Sequence, residues 1–352
     1  MARVAKQPTP LPTSDLDARK AAILEAVVAE HIDTAQPVGS TSVAHRDEVH
    51  VSSATIRSEM VALERDGYLM QPHTSAGRVP TDKGYRYFVD HLSSGVLGPT
   101  QQHEVSDFFT SVRGEMEDIL EQTSGLLSNL TSLTSVVVGP SHARASIRTV
   151  QLVDLSPRRV LVVAVLSDGS IEKRTLELDT EVSALDVVEA SSQLDALLLG
   201  TTLEQRLEVP SRDTSIATLV REAVSALHTS TPTADGDQVF IGGSSKVAGS
   251  FDQVETVRKV LGILEQGLVV VSLLQDIMNR GLSVAIGSEH GFAPLSSCAV
   301  IVAPVLVENE STGAIALLGP TRMNYPEAMA AAEVVSRQLT KRLSSASKDD
   351  RG

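Results

Sequence analysis

The chain has 352 residues, 42% of them hydrophobic, with a single cysteine and a formal net charge of −14. That length accommodates two or three domains with cores of their own, while the lone Cys298 excludes an internal disulfide framework, and no CxxC or Cys/His cluster offers a metal site or implies a cofactor. The acidity excludes a broadly basic nucleic-acid domain, but residues 1–92 carry 10 Lys/Arg against 12 Asp/Glu, a net −2, so −12 rests on the remainder and any nucleic-acid footprint is a local patch in the first quarter.

Residues 1–13 (MARVAKQPTPLPT) read as a disordered arm. Ser14 is placed to cap the first helix, with Asp17 three residues on, and Leu16, Ile23, Leu24, Val27 and Val28 mark its apolar face. QPVGS stops that helix, a short one follows Ser40, and EVHVS is a break. Ser52 or Ser53 then caps a helix in which Ile56, Met60 and Leu63 share one face. Ala54, Ser58, Val61 and Arg65 fall on the opposite face, flanked by Thr55 and Arg57, and Gly67 stands where a left-handed residue ends a helix. YLMQ and GRVP are short extended segments around PHTSA, and Thr81 caps a helix over DKGYRYFVDHL. Three helices followed by a two-stranded loop is the order of a winged helix-turn-helix.

SSGVLGPT (93–100) reads as a linker. Val105, Phe109, Val112, Met116, Ile119, Thr123, Leu126, Leu130 and Leu133 recur at alternating spacings of four and three, predicting one long helix, packed on its own domain or coiled with a second copy. IRTVQLVDLSPRRVLVVAVLSDGSIEKRTLEL predicts three antiparallel strands with Asp168-Gly169 as a hairpin turn. Helices follow over about 182–199 and 213–229, then a strand at VFIGG and a long helix from about Asp252 to Asn279. Strands at CAVIVAPVLV and GAIALLG and a helix after Pro326 close the chain. Strand-rich blocks separated by a mostly helical segment predict a sheet domain interrupted by an insertion. CAVIVAPVLV, the longest apolar run, is too short to span a bilayer, and the N-terminus has no apolar signal core, so a cytoplasmic protein is expected.

An enzyme is not expected. GGSS at Gly242–Ser245 has no Lys-Ser/Thr after it in a P-loop frame, and there is no GxSxG elbow or HExxH pair. His73 beside Thr74 and Ser75 suggests a Ser/His pair, yet neighbouring side chains in a short loop rarely converge and no third group orients them. Recognition uses the same residues better. Ala54, Thr55 and Ser58 are small enough for close approach to base edges in a major groove. Ser52 and Ser53, with the open N–H groups of a helix N-terminus, suit a phosphate, and Arg57 suits a phosphate or a guanine. His73, Ser75, Arg78 and Lys83 put donors on the wing. DNA contact is the favoured reading, and protein contact is the other use of such an arrangement.

QPVGSTSV, SSATIRSEMVALERDGYLMQPHTSAGRVPTDKGYRYFVD, IGSEH and GPTRMNYP resemble, in order and spacing, the HrcA family of bacterial heat-shock transcriptional repressors. The resemblance covers nearly the whole chain after the arm. It implies an α+β multidomain fold: a winged-helix DNA-binding domain (14–92), the linker (93–100), a GAF-like α/β sheet domain in two parts (101–180 and 256–343), an inserted dimerisation domain (181–255) and a disordered tail (344–352). It also implies a homodimer on an inverted-repeat operator, the CIRCE element, upstream of chaperone genes, with activity dependent on the GroEL chaperonin. The GAF-like fold raises the alternative of a repressor controlled by a small ligand, although IRTVQLVDL and CAVIVAPVLV carry no ligand-binding signature. One position departs from the family, which usually has asparagine where this chain has Ser58. Asparagine reads adenine bidentately, whereas serine discriminates less.

Overall fold

Helix α1 (Ala18–Thr34) starts at Asp17, whose carboxylate accepts hydrogen bonds from the amides of Arg19 and Lys20. The cap is therefore Asp17 and not the expected Ser14, which lies outside the described residues, as does the 1–13 arm. The structure, a computed structural model, describes residues 16–46, 49, 51–74, 76–92, 95–114, 116–139, 146–167, 171–203, 205, 214–228, 239–251, 253–281, 283–307 and 310–349. The chain forms two compact units: Met1–Val96 with Ile286–Ala299 and Gly319–Met329, and Leu97–Ala285 with Val300–Leu318 and Ala330–Gly352.

In the first unit α1 is followed by α2 (Ser40–Val43), α3 (Ser53–Arg65), strands β1 (Leu69–Met70) and β2 (Val79–Pro80), and α4 (Asp82–Asp90). The apolar stripes read from sequence form its core, with Ile23, Leu24, Val27, Val43, Ile56, Met60, Leu63 and Leu69 all buried. Gly67, at φ 81°, ends α3 as expected: the Tyr68 amide reaches back to the Leu63 carbonyl and the Gly67 amide to that of Glu64. β1 and β2 pair antiparallel, Leu69 opposite Pro80 and Met70 opposite Val79, and Val38 bridges to Arg78 beside them. Thr81 caps α4 by accepting from the Gly84 amide.

The long seam is divided into α5 (Pro99–Ser111), which begins inside the stretch 93–100 expected as a linker, and α6 (Met116–Thr131). Val112 is extended (ψ 129°) and Gly114 takes a positive φ of 129°, which a helix cannot accommodate. Arg113 closes the end of α5 by donating to the carbonyls of Thr110 and Val112. Val105, Val112, Ile119, Leu126 and Leu130 are nevertheless all buried, so the spacing specified burial and not continuity. α6 lies across β3 (Thr134–Val138) and β7 (Val239–Gly242).

Three antiparallel strands follow β3, as expected: β4 (Ile147–Ser156), β5 (Arg159–Leu166) and β6 (Ile171–Glu177), with Asp168 and Gly169 outside the described residues. They form a sheet of their own, covered by α7 (Ala184–Leu198) and α8 (Ser215–His228) around Val150, Val160, Val162, Leu194, Leu198 and Val220. Two amides on the free edge of β4, those of Val150 and Leu152, donate to Asp195 Oδ1 (2.7 Å) and Ser191 Oγ (3.0 Å) of α7, which blunts that edge. Residues 147–177 thus pair among themselves, while β7 joins the other sheet. Strand pairing does not follow the limits of 181 and 255 read from sequence.

That other sheet has the order β7-β3-β10-β9-β8, with β8 (Val284–Ile286), β9 (Cys298–Val307) and β10 (Glu310–Pro320). β3 runs antiparallel to both neighbours, Val137 opposite Ile315 and Val136 opposite Ile241. The helix expected from Asp252 to Asn279 is broken. α9 (Val247–Ser250) comes first, then α10 (Val254–Leu264) and α11 (Gly267–Asn279) meet at 93° where Gln266 leaves helical geometry (φ −101°, ψ 77°). α12 (Tyr325–Asp349) continues through residues expected to form a tail from 344. Among the described residues no single helix is long and apolar enough to cross a membrane.

Candidate nucleic-acid interface

Ser52 is the N-cap of α3: its Oγ accepts from the Thr55 amide (3.2 Å) and lies 2.9 Å from the Thr55 hydroxyl. Ser53 instead faces inward, 3.1 Å from the Ser40 hydroxyl, so it joins the starts of α2 and α3. The two serines that were equivalent in sequence have different jobs. Ala54, Arg57, Ser58, Val61 and Arg65 are exposed, and all but Arg57, which lies at the flank, stand across the helix from buried Ile56, Met60 and Leu63. Arg57 has no hydrogen-bond or ion-pair partner among the described residues, whereas Arg65 stands 3.5 Å from Asp66.

The two-stranded turn is braced from within. Gln71 Nε2 donates to the carbonyls of Thr74 and Ala76, both at 3.0 Å, and the Ala76 amide donates to His73 O. His73 is exposed at this tip, and Ser75 lies outside the described residues. Arg78 sits at the base with its guanidinium on Glu64 at 2.9 Å and a side chain only 16% exposed. Lys83 donates to the Asp66 carbonyl (2.8 Å) and lies over the Tyr68 ring at 4.0 Å. Of the four wing residues expected to meet a backbone, His73 and Lys83 are exposed, Arg78 is half-buried and Ser75 lies outside the described residues. Arg78 and Lys83 fasten the turn and α4 to the C-terminal end of α3.

Other ties hold the helices in register. Glu30 of α1 accepts from Arg46 Nη2 (2.8 Å) and from Ser42 Oγ (2.9 Å), contacts that hold its carboxyl below the usual carboxylate range. On α4, Arg86 engages both carboxylate oxygens of Glu289, and Asp82 Oδ2 accepts from the amide (3.1 Å) and hydroxyl (3.2 Å) of Ser288. His31 Nδ1 is 2.7 Å from the Tyr85 hydroxyl, and the Tyr85 ring lies 6.1 Å from that of Tyr325. IGSEH and NYP, far downstream in sequence, are thus structural partners of α4. No local signal in either motif identifies that partner.

Among the described residues, no group of three or more His, Cys, Asp or Glu could hold a metal ion. Cys298 is buried, which pushes its thiol up to about 12 and keeps it protonated. What the surface offers is hydroxyls, small side chains and a guanidinium on one exposed helix face.

The family model described as the HrcA protein C-terminal domain matches residues 117–329. A heat-inducible transcription repressor HrcA of Pseudarthrobacter chlorophenolicus is 36% identical over 337 residues, covering 92% of this chain and 98% of that one. Those of Carboxydothermus hydrogenoformans and Thermobifida fusca are each 35% identical, covering 92% of this chain and 97% and 96% of theirs. A crystal structure at 2.2 Å, described only as a hypothetical protein, shares the fold at 22% identity with a TM-score of 0.62, over 94% of this chain and all of that one. The chain belongs to the HrcA family.

Proposed function

We propose that this protein represses heat-shock chaperone genes by binding an inverted-repeat operator of the CIRCE type as a homodimer. The observation that carries the reading is the outward face of α3, where Ala54, Ser58 and Arg57 are exposed opposite a fully buried apolar stripe. The curated relatives are named as heat-inducible transcription repressors, a role without catalysis, and the reading takes that role and a cytoplasmic site of action for this chain. The N-terminal helices with β1 and β2 are read as a winged helix-turn-helix, α3 being the recognition helix that enters the major groove. Ser52, Ser53, Thr55, Arg57 and Ser58 supply or position its contacts, and the tip around His73 and Ser75 meets the neighbouring backbone. Arg78 and Lys83 are read as positioning residues, since both are engaged within the protein.

The five-stranded sheet with α6, α10, α11 and α12 is read as the GAF-like domain. The insertion is read as residues 147–228, which share one apolar core, in place of 181–255. Val153, Leu155, Leu185 and Val188 are exposed on it and suit a two-fold contact with a second copy. A two-fold dimer matches a palindromic operator, and if folding and dimerisation are coupled, a fall in folded protein removes operator occupancy steeply. Dependence on a GroEL-type chaperonin fits that coupling: when misfolded clients occupy the chaperonin, repression is released.

Fluorescence anisotropy on a CIRCE-type inverted-repeat duplex and its scrambled control, across a salt series, tests the reading. Strong preference for the inverted repeat, one dimer per duplex and a salt slope of a few counterions are expected. Equal binding to both duplexes, with and without chaperonin and ATP, would overturn it.

A further inference from the structure

We propose that Val61 is a base-reading residue whose side chain packs on the 5-methyl group of a thymine in the operator. This deepens the reading of α3 as a recognition helix and rests on it. Ala54, Ser58 and Val61 are spaced four and three residues apart and all exposed, so they form a single row on the side of α3 away from the core. The row is about 10 Å long at 1.5 Å per residue, roughly three base-pair steps. Val61 is the one large apolar side chain in it, and it is 51% exposed.

A valine there is unfavourable for the isolated protein on two counts. A β-branched residue in a helix loses side-chain freedom, and its methyls face water. Its local surroundings are also informative. Arg57 precedes it by one turn and Arg65, whose Nε is 3.5 Å from Asp66, follows it by one turn, both exposed, which places an apolar spot between two guanidinium groups in a chain of net charge −14. The matching surface is apolar at its centre and anionic on either side. A thymine methyl at the floor of a major groove, flanked by phosphates, has that form. Serine at 58 widens the demand on its neighbour, because a single hydroxyl discriminates bases less than a bidentate amide would.

The test uses an inverted-repeat duplex recovered by this protein from a randomised library, with each thymine replaced in turn by deoxyuridine, which differs only in lacking the methyl. At one thymine per half-site the replacement should weaken wild-type binding at least about fourfold, the worth of one methyl-sized group removed from water. Val61→Ala should bind thymine and deoxyuridine duplexes alike, within about twofold, and Val61→Thr, which keeps one methyl, should fall between. Two results would overturn the proposal: no deoxyuridine position that weakens the wild type, or undiminished deoxyuridine sensitivity in Val61→Ala. Loss of self-association in Val61→Ala with that sensitivity intact would assign the valine to a protein contact instead. Failure of the recognition-helix reading itself looks different, since the library would then yield no duplex preferred over its scrambled form.

Discussion

Arg86 and Glu289 are 203 residues apart in sequence and form a two-point ion pair, Arg86 Nε lying 2.8 Å from Glu289 Oε1 while its Nη2 takes the other oxygen. Glu289 Oε2 also accepts from the Ile286 amide at 2.9 Å, so the carboxylate closes its own turn as well as holding α4. Burial alone would favour neutral Arg86, but Glu289 and Asp90 outweigh it and raise its pKa. Glu289→Gln and Arg86→Met should each cost about 1.5–3 kcal/mol, and the double variant less than their sum, because each single change strands a partly buried partner. All four tyrosines, Tyr68, Tyr85, Tyr87 and Tyr325, belong to the first unit and the chain has no tryptophan, so tyrosine fluorescence during urea unfolding reports that unit selectively. Strictly additive losses would show that the pair carries no coupling.

Gly287, next to this pair, has φ 55°, and a Cβ built on it would stand 2.2 Å from Asp82 Oδ2. Backbone conformation and space both require glycine there. Gly287→Ala should lower the unfolding free energy read from the same tyrosine signal by more than about 1 kcal/mol, and Asp82→Ala in the same chain should recover only the steric part. A neutral Gly287→Ala would mean that Asp82 and Ser288 are not held together in solution.

Two histidines of this unit make its stability depend on pH. Burial lowers the pKa of both, with the Arg322 charge adding to the effect on His31. Nε2 of His290 is bonded to the Leu295 carbonyl and its Nδ1 accepts from the Phe292 amide, an arrangement for the neutral ring. Because the folded pKa lies below the unfolded value, the unfolded state binds more protons between the two. The stabilisation is complete above the ordinary histidine pKa near 6.5 and is lost as pH falls through the lower, folded value. Each imidazole contributes a slope of at most about 1.4 kcal/mol per pH unit. The tyrosine-reported midpoint should fall from pH 7.5 to 5.5, and His31→Gln should flatten the decline. An unchanged profile in His31→Gln would assign it to other groups.

How much of this was legible beforehand depended on range. α3 and its turn were readable because every determinant is local: Ser52 caps, Ile56, Met60 and Leu63 repeat, and Gly67 stops. The breaks at Val112–Gly114 and Glu265–Gln266 were not, because the apolar spacing continues through both while the backbone does not. β3 and β8, of five and three residues and buried throughout, present no alternation to read. The roles of Arg78 and Lys83 were also hidden. A cation in a polar loop reads as free until its partner is known, and Glu64 and the Asp66 carbonyl become partners only after the turn folds back on α3. Gln71, which braces that turn, gave no signal beyond being polar.

That contrast separates the arginines experimentally. Arg57 is exposed and without a partner among the described residues, so Arg57→Ala should leave unfolding unchanged and weaken binding to the inverted-repeat duplex. If Arg57 contacts a phosphate, the salt slope should also fall by about one. Arg65→Ala should weaken binding far less, its side chain being beside Asp66 near the end of the helix. Arg78→Ala should behave in the opposite sense. It strands Glu64, lowers stability by about 1.5–3 kcal/mol, and keeps the salt slope of the wild type when binding is measured where the variant is fully folded. A reduced slope in Arg78→Ala would return that guanidinium to the DNA, and equal losses for Arg57→Ala and Arg65→Ala would mean that α3 presents a different face to the duplex.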